Sequence, residues 1–267
     1  MRGPLTGLLA ALLTAVFLFS LAGYQVTGRV AGTRLLGRLA ASMVELDRWV
    51  PSHREDIQLI AKDRPQETVL VDDLPVNVVI SSEAALNAGN EEMRDLLRAA
   101  MGRRLYEQGR GVLQDEEGGT HQPITEPVRW TVLLLGSGAH GFWRLATIVS
   151  GLLTLGLGAS MLMARRSPLQ ALLGGAVGAA VASFLVWLVA RGAGSLFDSS
   201  VDREIMRILR DGAWLGLRNS LAVAAISLAV LYLWRALMAP RLARDGELYW
   251  PESGEPPDLY PTDPNPN

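Results

Sequence analysis

Apolar residues gather into four long blocks, separated by stretches in which apolar and polar positions follow helical or strand periods. The blocks occupy residues 4–23, 142–164, 168–190 and 214–234. About 20 apolar residues rising 1.5 Å each cross a hydrocarbon core roughly 30 Å thick. Inside lipid every backbone N–H and C=O must find its partner within the segment, so each block is expected to be a transmembrane helix. The first and third blocks carry no charge. Arg144 and Arg218 stand near the starts of the second and fourth, where a long side chain reaches the headgroups. Tyr24, Trp143, Trp187, Trp214, Tyr232 and Trp234 lie near block ends, as interfacial aromatics do. The first block also has features of a secretory signal, with Ser20 and Ala22 before a cut after Ala22. Its apolar run is long for a signal, so an uncleaved anchor is expected.

The expected fold is therefore an α-helical multi-pass membrane protein with four transmembrane helices. A small α/β extramembrane domain, residues 24–141, is expected between the first two. Within it, Leu35, Leu36, Leu39, Met43, Val44, Leu46 and Val50 mark one face of a helix over 30–50. Ser52 and Glu55 have capping-box spacing for a short helix through 57–62. Residues 68–71 and 74–80 are rich in β-branched side chains and predict two short strands. Asn90 is placed to cap a helix over 91–108, with Gly109 ending it. Residues 112–114 suggest an edge strand and 115–127 an acidic connector. Residues 130–135 are apolar but too few to span, which leaves an interfacial, re-entrant or strand conformation open.

Orientation follows from arginine placement near the span ends. Arg165 and Arg166 fill the short turn between the second and third spans, and Arg235, Arg241 and Arg244 follow the fourth. These votes, with Arg2, place both termini in the cytoplasm and residues 24–141 outside it, in a cell-membrane protein. Arg29, Arg34 and Arg38 vote the other way.

Composition narrows the chemistry. The charges nearly cancel, 25 Lys+Arg against 27 Asp+Glu, so no basic excess marks a nucleic-acid binder. The absence of cysteine excludes disulfides, thiolate metal sites and cysteine nucleophiles. All the basic residues but Lys62 are arginine, a bias expected of a GC-rich bacterial genome. His121 near Asp115, Glu116 and Glu117 lacks the ligand spacing of a metal site, so no metal or cofactor is expected. Ser137 and His140 lie in a glycine-rich stretch that does not match a hydrolase elbow, and a hinge before the membrane is the simpler expectation. No Asp, Glu, Lys or His falls within a span, which argues against proton relays and ion-coupled carriers.

Helix-packing chemistry is what the spans do offer. Gly174, Gly178 and Ala182 form one stripe of small residues on the third span, and Gly175, Ala179 and Ser183 the next. Small residues four apart let helices approach closely, within the chain or in a homo-oligomer or hetero-complex. Residues 191–213 form the loop before the fourth span. Its amphipathic part, 200–211, sets Val201, Ile205, Met206, Ile208 and Leu209 on one face and Arg203, Arg207 and Arg210 on another. An interfacial helix is expected there, touching headgroups or docking on the acidic side of the domain. Residues 245–267, rich in acids and prolines, are expected to be a disordered tail.

The lipid bilayer is thus the one certain partner. The functional expectation is a non-catalytic binding, sensing or scaffolding component of a membrane complex. A pore or transporter subunit is the first alternative and a membrane-associated hydrolase using Ser137 and His140 the second.

Overall fold

The computed structural model describes residues 3–63, 65, 67–72, 74–113, 124–164 and 167–247. Nine α-helices and one two-stranded ribbon occupy these residues. The expected spans are all helical: α1 (Gly3–Val26), α7 (Ser137–Met163), α8 (Pro168–Ala193) and α9 (Ser200–Glu247). Each has the length and hydropathy to cross a bilayer, so the chain is a membrane-spanning protein.

Between α1 and α7 lies a head of its own construction. Its helices are α2 (Arg29–Met43), α3 (Leu46–Asp63), α4 (Ser82–Asn87), α5 (Asn90–Gln108) and α6 (Glu126–Leu135). Its strands, β1 (Thr68–Val71) and β2 (Val78–Ser81), pair antiparallel with Thr68 opposite Ser81 and Val71 opposite Val78. Among the described residues the β content is limited to this ribbon, so the head is largely helical rather than an α/β domain in which sheet and helices share the core equally.

Several expected elements change on folding. The helix over 30–50 divides at Val44 and Glu45, where Glu45 takes φ 47°. That left-handed conformation is rare outside glycine and turns the chain. The Ser52–Glu55 capping box opens nothing, because α3 already runs through Pro51. Ser52 instead turns its hydroxyl to the Trp49 carbonyl, 2.8 Å away. Gly89 rather than Asn90 precedes the first turn of α5, and its N–H donates to the Glu92 carboxylate at 2.9 Å. Gly109 does end α5, at φ 69°, with its N–H on the Leu105 carbonyl. Where an edge strand was expected at 112–114, Val112 instead ends a 3₁₀ turn, Gly109–Val112, and Gln114 lies outside the described residues. The apolar residues 130–135 belong to α6, whose Val128, Val132 and Leu135 enter the head core. The glycine-rich hinge shrinks to Gly136 alone, since Ser137 already lies in α7. His121, Arg165 and Arg166, most of the 115–127 connector and residues 248–267 of the tail lie outside the described residues.

The helical period of α5 explains the head core. Met93, Leu97, Met101 and Leu105 recur every four residues and are almost fully buried. They meet Leu36, Leu39 and Met43 of α2 and Val69 and Val76 around the ribbon. Burying one such side chain contributes roughly 1.5–3 kcal/mol, which makes this cluster the head's main source of stability. The two helices touch backbone to backbone: a Cβ on Gly102 would collide with the Thr33 carbonyl, and one on Gly37 with that of Arg98.

In the bundle α1 is the central post, packed on α7, α8 and α9, while α8 and α9 run alongside each other. Ala10, Met161 and Ala171 pack together near one end, which places the start of α1 beside the α7–α8 turn. Lipid provides no hydrophobic drive between helices, so close packing of small residues holds them. Gly175 sits directly on Ala11 and Thr14 of α1, where a Cβ has no room.

Candidate functional site

The residues of interest collect at two places, the seam between head and bundle and a groove within the bundle. The seam is built on the first three turns of α9. Its apolar period aims Val201, Ile205 and Ile208 at the head, and all three are part of the head core. The same helix and the fourth span are one element, so the expected separate interfacial helix is instead the head-docked start of α9. Glu204 follows the apolar face inward and is only 5% exposed. A buried carboxylate needs compensating charge. Arg38 of α2 supplies it, with guanidinium nitrogens 2.7 Å from Glu204 Oε1 and 3.2 Å from Asp211 Oδ2. Arg207 adds a contact at 3.2 Å to Glu204 Oε2. Ser200 donates to the Ser42 carbonyl at 2.9 Å. The ion pairs that join head to helix thus run from a head arginine to acids on α9.

Arg203, Arg207 and Arg210 line the side of α9 away from the core. Arg203 reaches back to the carbonyls of Ser199 and Asp198, and Arg210 lies 3.7 Å from the Asp211 carboxylate. On α5, Arg94 pairs with Asp47 at 2.7 Å, Arg98 with Asp95 at 3.0 Å, and Arg104 donates to the Asn77 carbonyl.

Where the head meets α1 and α7, Tyr106 donates to the Thr27 carbonyl at 3.0 Å. Burial raises the Tyr106 pKa above the ordinary tyrosine value, partly opposed by the Arg29 guanidinium. His140 stacks on Tyr24 with ring centroids 4.7 Å apart, and its Nδ1 lies 3.3 Å from Thr27 Oγ1. The imidazole is therefore directed to a threonine, while Ser137 is exposed on the same first turn of α7. Among the described residues no hydrogen bond joins Ser137 to His140. Among the described residues no group of three or more His, Asp or Glu side chains is placed to hold a metal.

The groove lies between α1, α8 and α9 and encloses about 550 Å³. Gly174, Gly178 and Ala182 are all exposed on α8, and Gly178 and Ala182 line the groove. The neighbouring stripe, Gly175 and Ala179, is the one buried in the bundle. Ser183 and Ser220 add hydroxyls to the lining. Ser220 is 1% exposed and its Oγ has no hydrogen-bond partner. Close above, the Asn219 amide donates to Gln25 Oε1 at 2.8 Å, tying α9 to α1.

No protein-family model, curated protein or solved structure matches this chain. Sequence reasoning passed over Glu204, used Arg38 only as an orientation vote, and gave Ser220 no role beyond that of a small residue on the fourth span. Glu204 carried a readable signal, since it lies on the same helical face as Val201, Ile205 and Ile208. Arg38 and Ser220 carried none, because their importance comes from partners more than 150 positions away in the chain or from the lack of one.

Proposed function

We propose that this protein is a non-catalytic binding, sensing or scaffolding component of a membrane complex. It sits in the cell membrane with both termini cytoplasmic and the head, residues 24–141, outside. The observation that carries this reading is the shared core of head and α9. A head fused to its anchor through Val201, Ile205, Ile208 and a buried ion pair is held in one pose above the membrane, as presentation to a partner requires. The orientation rests on the arginines that the sequence sets between the second and third spans and after the fourth, following the positive-inside rule.

Photo-crosslinking in the native membrane tests the proposal. The crosslinker is placed at Leu70 and Val79, which face each other across the ribbon and are exposed, and at lipid-facing Leu155 of α7 as a control. A discrete protein adduct from the ribbon positions and none from Leu155 supports the reading. No adduct from either ribbon position, in membranes where the protein is abundant, overturns it.

A further inference from the structure

We propose that α6 lies along the membrane surface and sinks an exposed face, Trp130, Leu133 and Leu134, into the boundary between lipid headgroups and acyl chains. The head is then seated on lipid as well as on α9. At 3.6 residues per turn these three side chains fall within about 100° of one another. They stand opposite Val128 and Val132, which are buried in the head core. Trp130 is 57% exposed, Leu133 45% and Leu134 55%. The charged residues of α6, Glu126 and Arg129, both precede Trp130, so the stretch 130–135 carries no charge. A contiguous apolar face of this kind marks a contact with lipid or with protein.

Position selects lipid, because α6 is held at the bundle end of the head. The Tyr106 hydroxyl, near the end of α5, reaches the Thr27 carbonyl just past α1. A Cβ on Gly32, in the first turn of α2, would meet both the Tyr106 ring and the Leu135 carbonyl. Thr131 and Leu134 line the groove together with Val26 and Thr27. Thr27 lies four residues beyond Gly23, where the first apolar block ends, about 6 Å at 1.5 Å per residue. Headgroups add roughly 5–8 Å to each side of the hydrocarbon, so α6 stands at their level. Gly136 alone separates it from α7, a helix that exposes Phe142 and Leu145 to the bilayer in its first turns.

Residue type fits this depth. An indole suits the membrane interface, where its ring meets acyl chains while its N–H meets headgroups. Leu133 and Leu134 add apolar area on the same side. A soluble partner would have to displace the lipid that borders Gly136 and the start of α7. The bilayer is the occupant that the spans themselves bring to this face. On the other side of the same short helix Val128, Val132 and Leu135 are core residues, so the lipid contact and the head core share one rigid element.

The test uses the full chain, which has no cysteine, in phosphatidylcholine vesicles with one nitroxide attached through Leu133→Cys or Leu134→Cys. Glu91→Cys is the aqueous control. Glu91 is exposed at the far end of α5, about 22 Å from Tyr106 along the helix at 1.5 Å per residue. Leu155→Cys on α7 is the lipid control. Electron paramagnetic resonance saturation measures collisions with oxygen, which concentrates in lipid, and with a water-soluble nickel chelate. At Leu133 and Leu134 the oxygen-to-nickel ratio is expected to exceed that at Glu91. It should report a depth of about 5–10 Å into the headgroup–acyl boundary, shallower than Leu155. If one labelled chain aggregates, the other carries the test, since both side chains point out of the fold. The Glu91 ratio at either position leaves the face in water and overturns the proposal. The depth of Leu155 at either position makes α6 a re-entrant segment and also overturns it. Protection from both probes means that protein covers the face, and spectral broadening lost on dilution with unlabelled chain assigns that cover to a second copy. Either result overturns the lipid contact.

Discussion

Single residues in this protein act chiefly through the space they leave or fill. Gly102 is the sharpest case, because any side chain there would press on the Thr33 carbonyl, which cannot move without shifting α2. Gly102→Ala is expected to destabilise the head by about 1–3 kcal/mol, the usual cost of overpacking. Gly111→Ala, with open space around its Cβ position, should be close to neutral, and thermal unfolding in detergent compares the two. Tyr106 adds a pH dependence. Burial raises its pKa, so in the alkaline window the folded chain binds a proton that the unfolded chain has lost. Stability should be unaffected below about pH 10 and fall as pH rises through the raised value. Tyr106→Phe should abolish that alkaline fall while losing about 0.5–1.5 kcal/mol at neutral pH for its hydrogen bond to Thr27. Melting curves at pH 8 and above pH 10 show whether both signs hold.

Helices and their boundaries were legible in the sequence to the degree that local forces decide them. The four apolar blocks needed no tertiary information, because backbone pairing in lipid admits little else. The buried face of α5 followed from its period. Where the forces are non-local, legibility failed. The break at Glu45 has no glycine or proline to announce it, and residues 130–135 became α6 because Val128 and Val132 found the head core. On α8 two stripes of small residues stood side by side in the sequence. Which of them meets α1 is fixed only by how the helix is rotated in the bundle, and Gly175 took the inner position. The interfacial helix at 200–211 merged with the fourth span because its apolar face met protein rather than headgroups. The ion pair that secures this junction is testable at the same scale. Arg38→Ala leaves Glu204 buried with only the exposed Arg207 as partner, an expected loss of about 1–3 kcal/mol. Removing Glu204 as well should restore part of it, so a double-mutant cycle over Arg38→Ala and Glu204→Ala should show a clear coupling energy.

At the scale of the molecule, four spans place the head at one end of the bundle and the α7–α8 turn with the start of α1 at the other. The chain's lack of cysteine makes this arrangement directly addressable. In intact cells Ser52→Cys in the head should react with a membrane-impermeant maleimide. Arg235→Cys, near the far end of α9, should react only after permeabilisation. The opposite pattern would reverse the proposed orientation.

From Ser200 to Ala239, the residue before Pro240, α9 rises about 60 Å at 1.5 Å per residue, about twice the thickness of the roughly 30 Å hydrocarbon layer. One end is cemented into the head and the other emerges on the opposite side, with no loop between them to absorb a twist. A tilt of the head is therefore a tilt of this helix as well.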